Sequence, residues 1–242
     1  MGNKMKVDIL AIGIHPDDVE LSCSGTLAKH LALGKTAALL DLTLGELGTR
    51  GNAQIRTQEA MAAAKILGIA NRTQLQFKDG FFENNEEHQR KIIEQIRFYQ
   101  PEIVLCNAID DRHPDHGRAA KLTADACFYS GLLKVETQLN GEQQKPWRPK
   151  AVYHYIQDIY IHPDFVVDMS DYIDVKHQSI MAYGSQFYNP NSKEPETPIS
   201  SREFLDHLNS KMTIWGRSIG VKYAEGFTTT RYPGVKSLFD LI

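Results

Sequence analysis

The chain opens on an apolar run at residues 7–14, interrupted only by Asp8, and then alternates such runs with stretches of helical period. An apolar run of this length, without polar alternation, is the pattern of a strand buried on both faces. Residues 36–43 repeat it, residues 72–77 do so more weakly, and residues 102–107 form a fourth run. Helix patterns lie between. The first carries Leu21, Leu27, Ala28 and Leu31 and closes at Gly34, because glycine readily takes the left-handed conformation that ends a helix. The second, residues 52–67, turns Ile55, Ala63, Ile66 and Leu67 toward the core and ends at Gly68. In the third, Asn84 or Asn85 supplies a cap, Ile92, Ile93 and Ile96 share a face, and Pro101 stops the helix. A fourth runs from about residue 117 to residue 130, with Gly131 behind it.

This alternation predicts an α/β fold: a Rossmann-like, doubly wound, mostly parallel sheet with helices on both faces, in one domain over residues 1–242. Further on, residues 140–150 are polar with two prolines and read as a surface loop. Residues 151–157 and 164–169 read as two more strands, and Ser170 as the cap of a helix reaching residue 181. Residues 187–198, with three prolines, read as a long loop. Ser200 or Ser201 caps a last helix with Phe204, Leu208, Met212 and Trp215 on one stripe.

Composition mostly excludes roles. A net charge of -3 over 242 residues leaves no nucleic-acid footprint. The run at residues 7–14 is too short to span a membrane and lacks a cleavage-site pattern, so a cytoplasmic protein is expected, with no membrane contact. Cys23, Cys106 and Cys127 are odd in number, form no C-x-x-C pair and sit in apolar stretches, so they read as small buried hydrophobes.

Two polar clusters stand where such a fold does chemistry. Open α/β sheets bind ligands beyond the carboxyl ends of their strands. The first strand is followed by His15-Pro16-Asp17-Asp18-Val19-Glu20, the fourth by Asp110-Asp111-Arg112-His113-Pro114-Asp115-His116. In the common strand order those two strands are neighbours, so the clusters meet at one edge. Gly13 is present in the first loop, but the G-x-G-x-x-G cradle for phosphate is not. Imidazole and carboxylate in its place suit zinc or a similar divalent cation. A catalytic zinc takes three protein ligands and keeps one position open. Spacing therefore places a metal on His15, Asp18 and one or both of His113 and His116, without choosing between the last two. A plain turn with a helix cap explains either cluster alone, but not both at neighbouring strand ends. His30, His88, His154, His162, His177 and His207 have no such company and read as surface or packing residues. Two histidines and a carboxylate also form the iron site of oxygenases. Asp17, a base beside the metal, favours hydrolysis, which ferrous iron in the same site also supports.

These residues resemble the LmbE-like, or PIG-L, family of zinc-dependent N-acetylglucosamine deacetylases. Its signatures are a His-Pro-Asp-Asp box after strand one and a His-Pro-Asp-His box after strand four, both intact here as His15 to Asp18 and His113 to His116. The string Asp-Leu-Thr-Leu-Gly-Glu-Leu-Gly-Thr-Arg-Gly at residues 41–51 is similar to the bacillithiol-pathway branch of that family. So is Gly-Val-Lys-Tyr-Ala-Glu-Gly-Phe at residues 220–227, and the resemblance thus spans about the whole chain.

The resemblance implies His15, Asp18 and His116 as zinc ligands, Asp17 as general base and His113 as the histidine that assists at the oxyanion or leaving amine. It implies Asp115 as the carboxylate that orients His113, and Arg56 as an active-site arginine. The implied substrate is a small acetylated amino sugar, N-acetylglucosaminyl malate in that branch, with diacetylchitobiose or another acetylated sugar as the alternative. A homo-oligomer, trimer or hexamer, is implied as well. A non-catalytic metal- or sugar-binding module is the remaining alternative. Arg50, Arg56 and Arg112 fall near the same sheet edge, and guanidinium groups suit the two carboxylates of malate, so these are the expected substrate-binding arginines. The chain departs from the family in two places. Ile14 stands where alanine usually precedes the first box, and Thr197 to Leu205 diverges where a tyrosine for the oxyanion would be sought.

Overall fold

Parallel strands cannot be joined by a tight turn, so each apolar run is followed by a crossover helix. The computed structural model, which describes residues 5–241, shows this through its first half. In order come β1 (Ile9–Gly13), α1 (Asp18–Ala32), β2 (Ala37–Thr43), α2 (Ala53–Leu67), β3 (Arg72–Phe77), α3 (Glu86–Tyr99), β4 (Ile103–Cys106) and α4 (Pro114–Tyr129). The second half adds a small hairpin, β5 (Gln138–Leu139) and β6 (Glu142–Gln143), then β7 (Ala151–Tyr155), β8 (Phe165–Asp168), α5 (Ile173–Met181), α6 (Arg202–Ser218) and β9 (Ala224–Thr228).

The main sheet has the order β3-β2-β1-β4-β7-β9-β8. β1 pairs in parallel with both β2 and β4, with Ile9 opposite Ala37 and Ile103. This is the doubly wound arrangement expected from sequence, and it brings the two polar clusters to one edge. β9 lies antiparallel between β7 and β8. β1 shows why its apolar run has no polar alternation. Leu10 and Ile12 pack into a core cluster with Ile92, Ile93 and Ile96 of α3 and Leu122 of α4. Ile9 and Ala11 face the other side, with Val19, Cys23 and Leu27 of α1. All three cysteines are free and buried. Among the described residues, no helix is long and apolar enough to cross a membrane.

Several sequence expectations shift. The side chain of Asn52 caps α2 by accepting from Ile55 N, and Gly68 ends it in the left-handed conformation. Ile55 and Ile66 are exposed, however, and the core face of α2 is Ala60, Ala63, Ala64 and Leu67. The helix lies close to its neighbours through small residues, so the bulkier isoleucines fall outside the contact. α4 begins three residues ahead of the expected start, because Pro114 at the first helical position is already fixed at a helical φ. Asp115 and His116 therefore sit in its first turn. Ser170 opens a short 3-10 turn, and its hydroxyl accepts from the backbone N–H of Lys222 and Tyr223 instead of capping a helix. The hairpin β5–β6 falls partly in the expected loop at 140–150. β9 escaped the pattern because it holds Glu225, a buried carboxylate paired with Lys176 Nζ at 2.7 Å.

A second buried charge network braces the floor of the sheet edge. Arg72 of β3 donates to both oxygens of Asp41 at 2.7 Å and to Glu20 at 2.6 Å, and all three side chains are essentially out of water. Removing one partner of a buried pair leaves the other charge uncompensated. Arg72→Met is thus expected to cost about 3–5 kcal/mol, read by urea unfolding. A loss smaller than about 1 kcal/mol would mean that Glu20 and Asp41 do not depend on it.

Candidate metal and catalytic site

The site is assembled from the loops that leave β1 and β4. Asn107, the residue after β4, accepts from Ile14 N at 3.0 Å and donates to Asp18 Oδ2 at 2.8 Å, so it ties the two strand ends together. Asp18 opens α1, and its carboxylate accepts from three donors, Asn107 among them. His15 N donates to Oδ2 at 2.9 Å, and Gln157, beyond β7, donates to Oδ1 at 3.0 Å. The free edge of that carboxylate faces two imidazoles: His116 Nε2 lies 3.2 Å from Oδ1, and His15 Nδ1 lies 3.9 Å from Oδ2. Ring nitrogens of His15, His113 and His116 lie within 4.8 Å of one another.

Each of two rings is backed by carboxylate. His15 Nε2 meets Asp79 at 3.0 Å and Asp115 at 3.5 Å, and His116 Nδ1 meets Asp111 at 2.5 Å. Carboxylate partners of this kind fix the tautomer and raise the basicity of metal-ligating imidazoles. The field agrees with the donor set. Burial opposes a charge on His15, yet Asp115, Asp79 and Asp18 outweigh it and push the ring to about 10. Burial likewise opposes charge on His116, but Asp18 and Asp111 carry it to about 9. A pocket that holds protons this firmly stabilises positive charge, and imidazole with carboxylate is the donor chemistry of a divalent metal. The residues fit such an ion.

Asp17 stands beside this cage in a different state. Its φ is 119°, a left-handed value that costs a residue with a side chain roughly 1–3 kcal/mol. The turn is held by Arg56, whose Nη2 donates to Pro16 O at 2.6 Å and to Asp17 Oδ2 at 2.9 Å. Arg56 also reaches Gly45 O at 3.1 Å, and any Cβ at Gly45 would collide with the guanidinium, so glycine is required there. Burial raises the Asp17 carboxyl, Arg56 pulls it down and Asp18 pushes it up, for a net value of about 7. A base poised there is matched to neutral pH. Because Arg56 favours the ionised form, Arg56→Met should raise the Asp17 pKa further. Activity that needs the anion then fades at a higher pH, so the acid limb of the kcat/KM profile moves upward. An unmoved limb would detach Arg56 from Asp17.

His113 caps α4, and its Nδ1 accepts from Asp115 N at 3.3 Å. A neutral ring with Nδ1 engaged as acceptor carries its proton on Nε2. Burial and the charges of His15 and His116 lower its pKa. Asp115 meets His113 differently from the way the resemblance implied. The backbone of Asp115, not its carboxylate, contacts His113, because the first turn of α4 points the carboxylate at His15 and Gly80 N.

The arginines separate. Arg56 faces Asp17. Arg112 lines the cavity with Nε bonded to Asp158. Arg50 stands apart from the cavity lining: the side chain is buried, donates to Ser192 Oγ and faces Glu194 at 3.7 Å, so it braces the loop at residues 187–198. Asp79, Asp111, Asn107 and Gln157 were not anticipated. Asp79 and Gln157 stand just past the ends of β3 and β7, and the strand-end rule applied to every strand would have flagged them.

These groups open on a cavity of about 350 Å³, within the size range of small-ligand pockets. Leu47, Gly48 and Thr49 form part of its lining, and Leu47 N donates to Asp79 Oδ2 at 2.9 Å, which ties that loop to the carboxylate behind His15. Thr197, Pro198 and Ile199 line another part, and among the described residues no tyrosine does.

Comparison with known proteins follows the same residues. The model of the PIG-L family, described as GlcNAc-PI de-N-acetylase, matches residues 10–127. The chain is 30% identical over 229 residues to the diacetylchitobiose deacetylase of Thermococcus kodakarensis, covering 90% of this chain and 81% of that one. It is 25% identical to the probable N-acetyl-alpha-D-glucosaminyl L-malate deacetylase 2 of Bacillus anthracis, over 74% of this chain and 81% of that one. Among solved structures, the conserved protein TT1542 from Thermus thermophilus superposes with a TM-score of 0.85 at 31% identity, over 96% of this chain and 98% of that one.

Proposed function

We propose, from the fact that the chain belongs to the PIG-L, or LmbE-like, family of deacetylases, that His15, Asp18 and His116 hold a zinc ion and that Asp17 and His113 act on the substrate. The chain is an amide hydrolase, and its reaction is the metal-dependent deacetylation of an N-acetylglucosaminyl compound. The observation that carries the residue assignment is the convergence of Asp18 with two carboxylate-backed imidazoles beside a buried aspartate poised near neutrality.

His15, Asp18 and His116 would hold zinc, or ferrous iron in the same place, and such an ion would supply Lewis acidity that acidifies water and polarises a carbonyl. Asp17 takes the proton of the attacking water, with Arg56 holding its Oδ2 in place. His113 donates from Nε2 to the oxygen of the tetrahedral intermediate, as a neutral imidazole can when its pKa is depressed. Asp17 then passes its proton to the leaving nitrogen, the carbon–nitrogen bond breaks, and acetate and the free amino sugar depart.

Two substrates fit this reading, N-acetylglucosaminyl malate and N,N′-diacetylchitobiose. The strings at residues 41–51 and 220–227 support the first, and the higher identity to a chitobiose deacetylase supports the second. Purified protein given each compound should release acetate and free amine in equal amounts from at least one. Neither product from either compound would overturn the deacetylase reading.

A further inference from the structure

Helix α6 lines the cavity with one stripe, Phe204, His207, Leu208 and Lys211, spaced three and four apart. Lys211 is the unusual member. It is 5% exposed, and its ammonium forms no ion pair among the described residues. Its one hydrogen bond is to Gln157 O, and Nζ sits 5.6 Å over the Trp215 ring. An ammonium carries three donors, so two remain unspent.

The other cations around the site are neutralised by the protein. Arg56 meets Asp17, Arg112 meets Asp158, and Lys176, equally buried behind α1, meets Glu225. A buried charge without a partner is costly, and proteins rarely keep one without use. Burial lowers the Lys211 pKa to about 8, with Asp158 pulling it back up, so the group is still mostly charged at neutral pH. Its position is also informative. Gln157 accepts from Lys211 through its backbone oxygen and donates to Asp18 through its side chain, so a single residue links the ammonium to the cage. Lys211 and the residues of the cage line the same cavity, so a sugar whose acetamide reaches the cage shares that cavity with the ammonium.

We propose that Lys211 anchors a carboxylate on the aglycone of the substrate, so that the cavity selects an anionic N-acetylglucosaminide over a neutral one. The inference rests on the deacetylase reading. Carboxylate also occurs in the product acetate, and the test separates the two sources.

Acetate release is measured for the wild type, Lys211→Met and Lys211→Arg on N-acetylglucosaminyl malate and on N,N′-diacetylchitobiose. The wild type should prefer the malyl compound. Lys211→Met should lower kcat/KM for it by about 10- to 100-fold, mostly through KM, and for the neutral disaccharide by less than about fivefold. Lys211→Arg should recover part of the preference, since it keeps the charge. Inhibition by acetate should change little in Lys211→Met. The melting temperature of that variant should equal or exceed the wild-type value, because a buried unpaired charge is replaced by an apolar chain of similar length.

Equal losses on both substrates would make Lys211 a prop for Gln157 and overturn the inference. Equal losses with weakened acetate inhibition would assign it to the product and overturn it too. Wild-type acetate release from the disaccharide alone overturns the inference and leaves the deacetylase reading standing. No acetate from either compound overturns both.

Discussion

Asp17→Asn is expected to keep its bound metal and lose about 10²–10⁴-fold in turnover. The amide is nearly the same size, and asparagine tolerates the left-handed backbone that Asp17 adopts, so the turn should survive. Arg56 retains its bonds to Pro16 O and Gly45 O. What disappears is a carboxylate able to take a proton near pH 7. The metal should stay because the proposed ligands are His15, Asp18 and His116, while the Asp17 carboxylate is engaged by Arg56. Elemental analysis beside an acetate assay reads both effects at once. Metal lost in step with activity would make Asp17 a ligand.

His116→Ala should have the larger effect, removing the metal and activity together. The ring contributes Nε2 next to Asp18, and its loss leaves Asp111 with a buried carboxylate and no imidazole to orient. Disturbing the outer partner of a ligand typically costs 10–100-fold in metal affinity, and removing the ligand itself costs more. His113→Ala is the informative control. The three rings lie equally within reach of one point, so geometry alone admits a three-histidine set. If His113 serves the substrate, its alanine variant keeps the metal and loses rate. Metal loss in His113→Ala with retention in Asp18→Ala would replace Asp18 by His113 in the ligand set.

Much of this site was legible in sequence because its main parts lie within two short strings. His15 to Asp18 and His113 to His116 are each contiguous, each follows an apolar run, and strand adjacency follows from the doubly wound order. The missed residues are those whose role depends on direction. Asp79 is 64 residues from His15, and Asp111, although inside the second polar string, gives no sign in sequence of pointing at His116; only the folded loops aim them there. For Asp115 the resemblance implied His113 as the partner of its carboxylate, and the direction is again set by the fold: the first turn of α4 turns that carboxylate toward His15. Arg50 lies in a string shared with the site but faces the far side of its loop. In the fold, β9 hid because a buried ion pair replaces apolar side chains there, and the stripe of α2 misled because close packing selects alanine over isoleucine.

The decisive measurement is acetate release before and after the metal is stripped. Protein treated with a chelator, shown by elemental analysis to be metal-free, and dialysed should release no acetate from an N-acetylglucosaminyl substrate and should recover when zinc or ferrous iron is returned. Undiminished acetate release from the verified metal-free protein would contradict a catalytic metal at His15, Asp18 and His116.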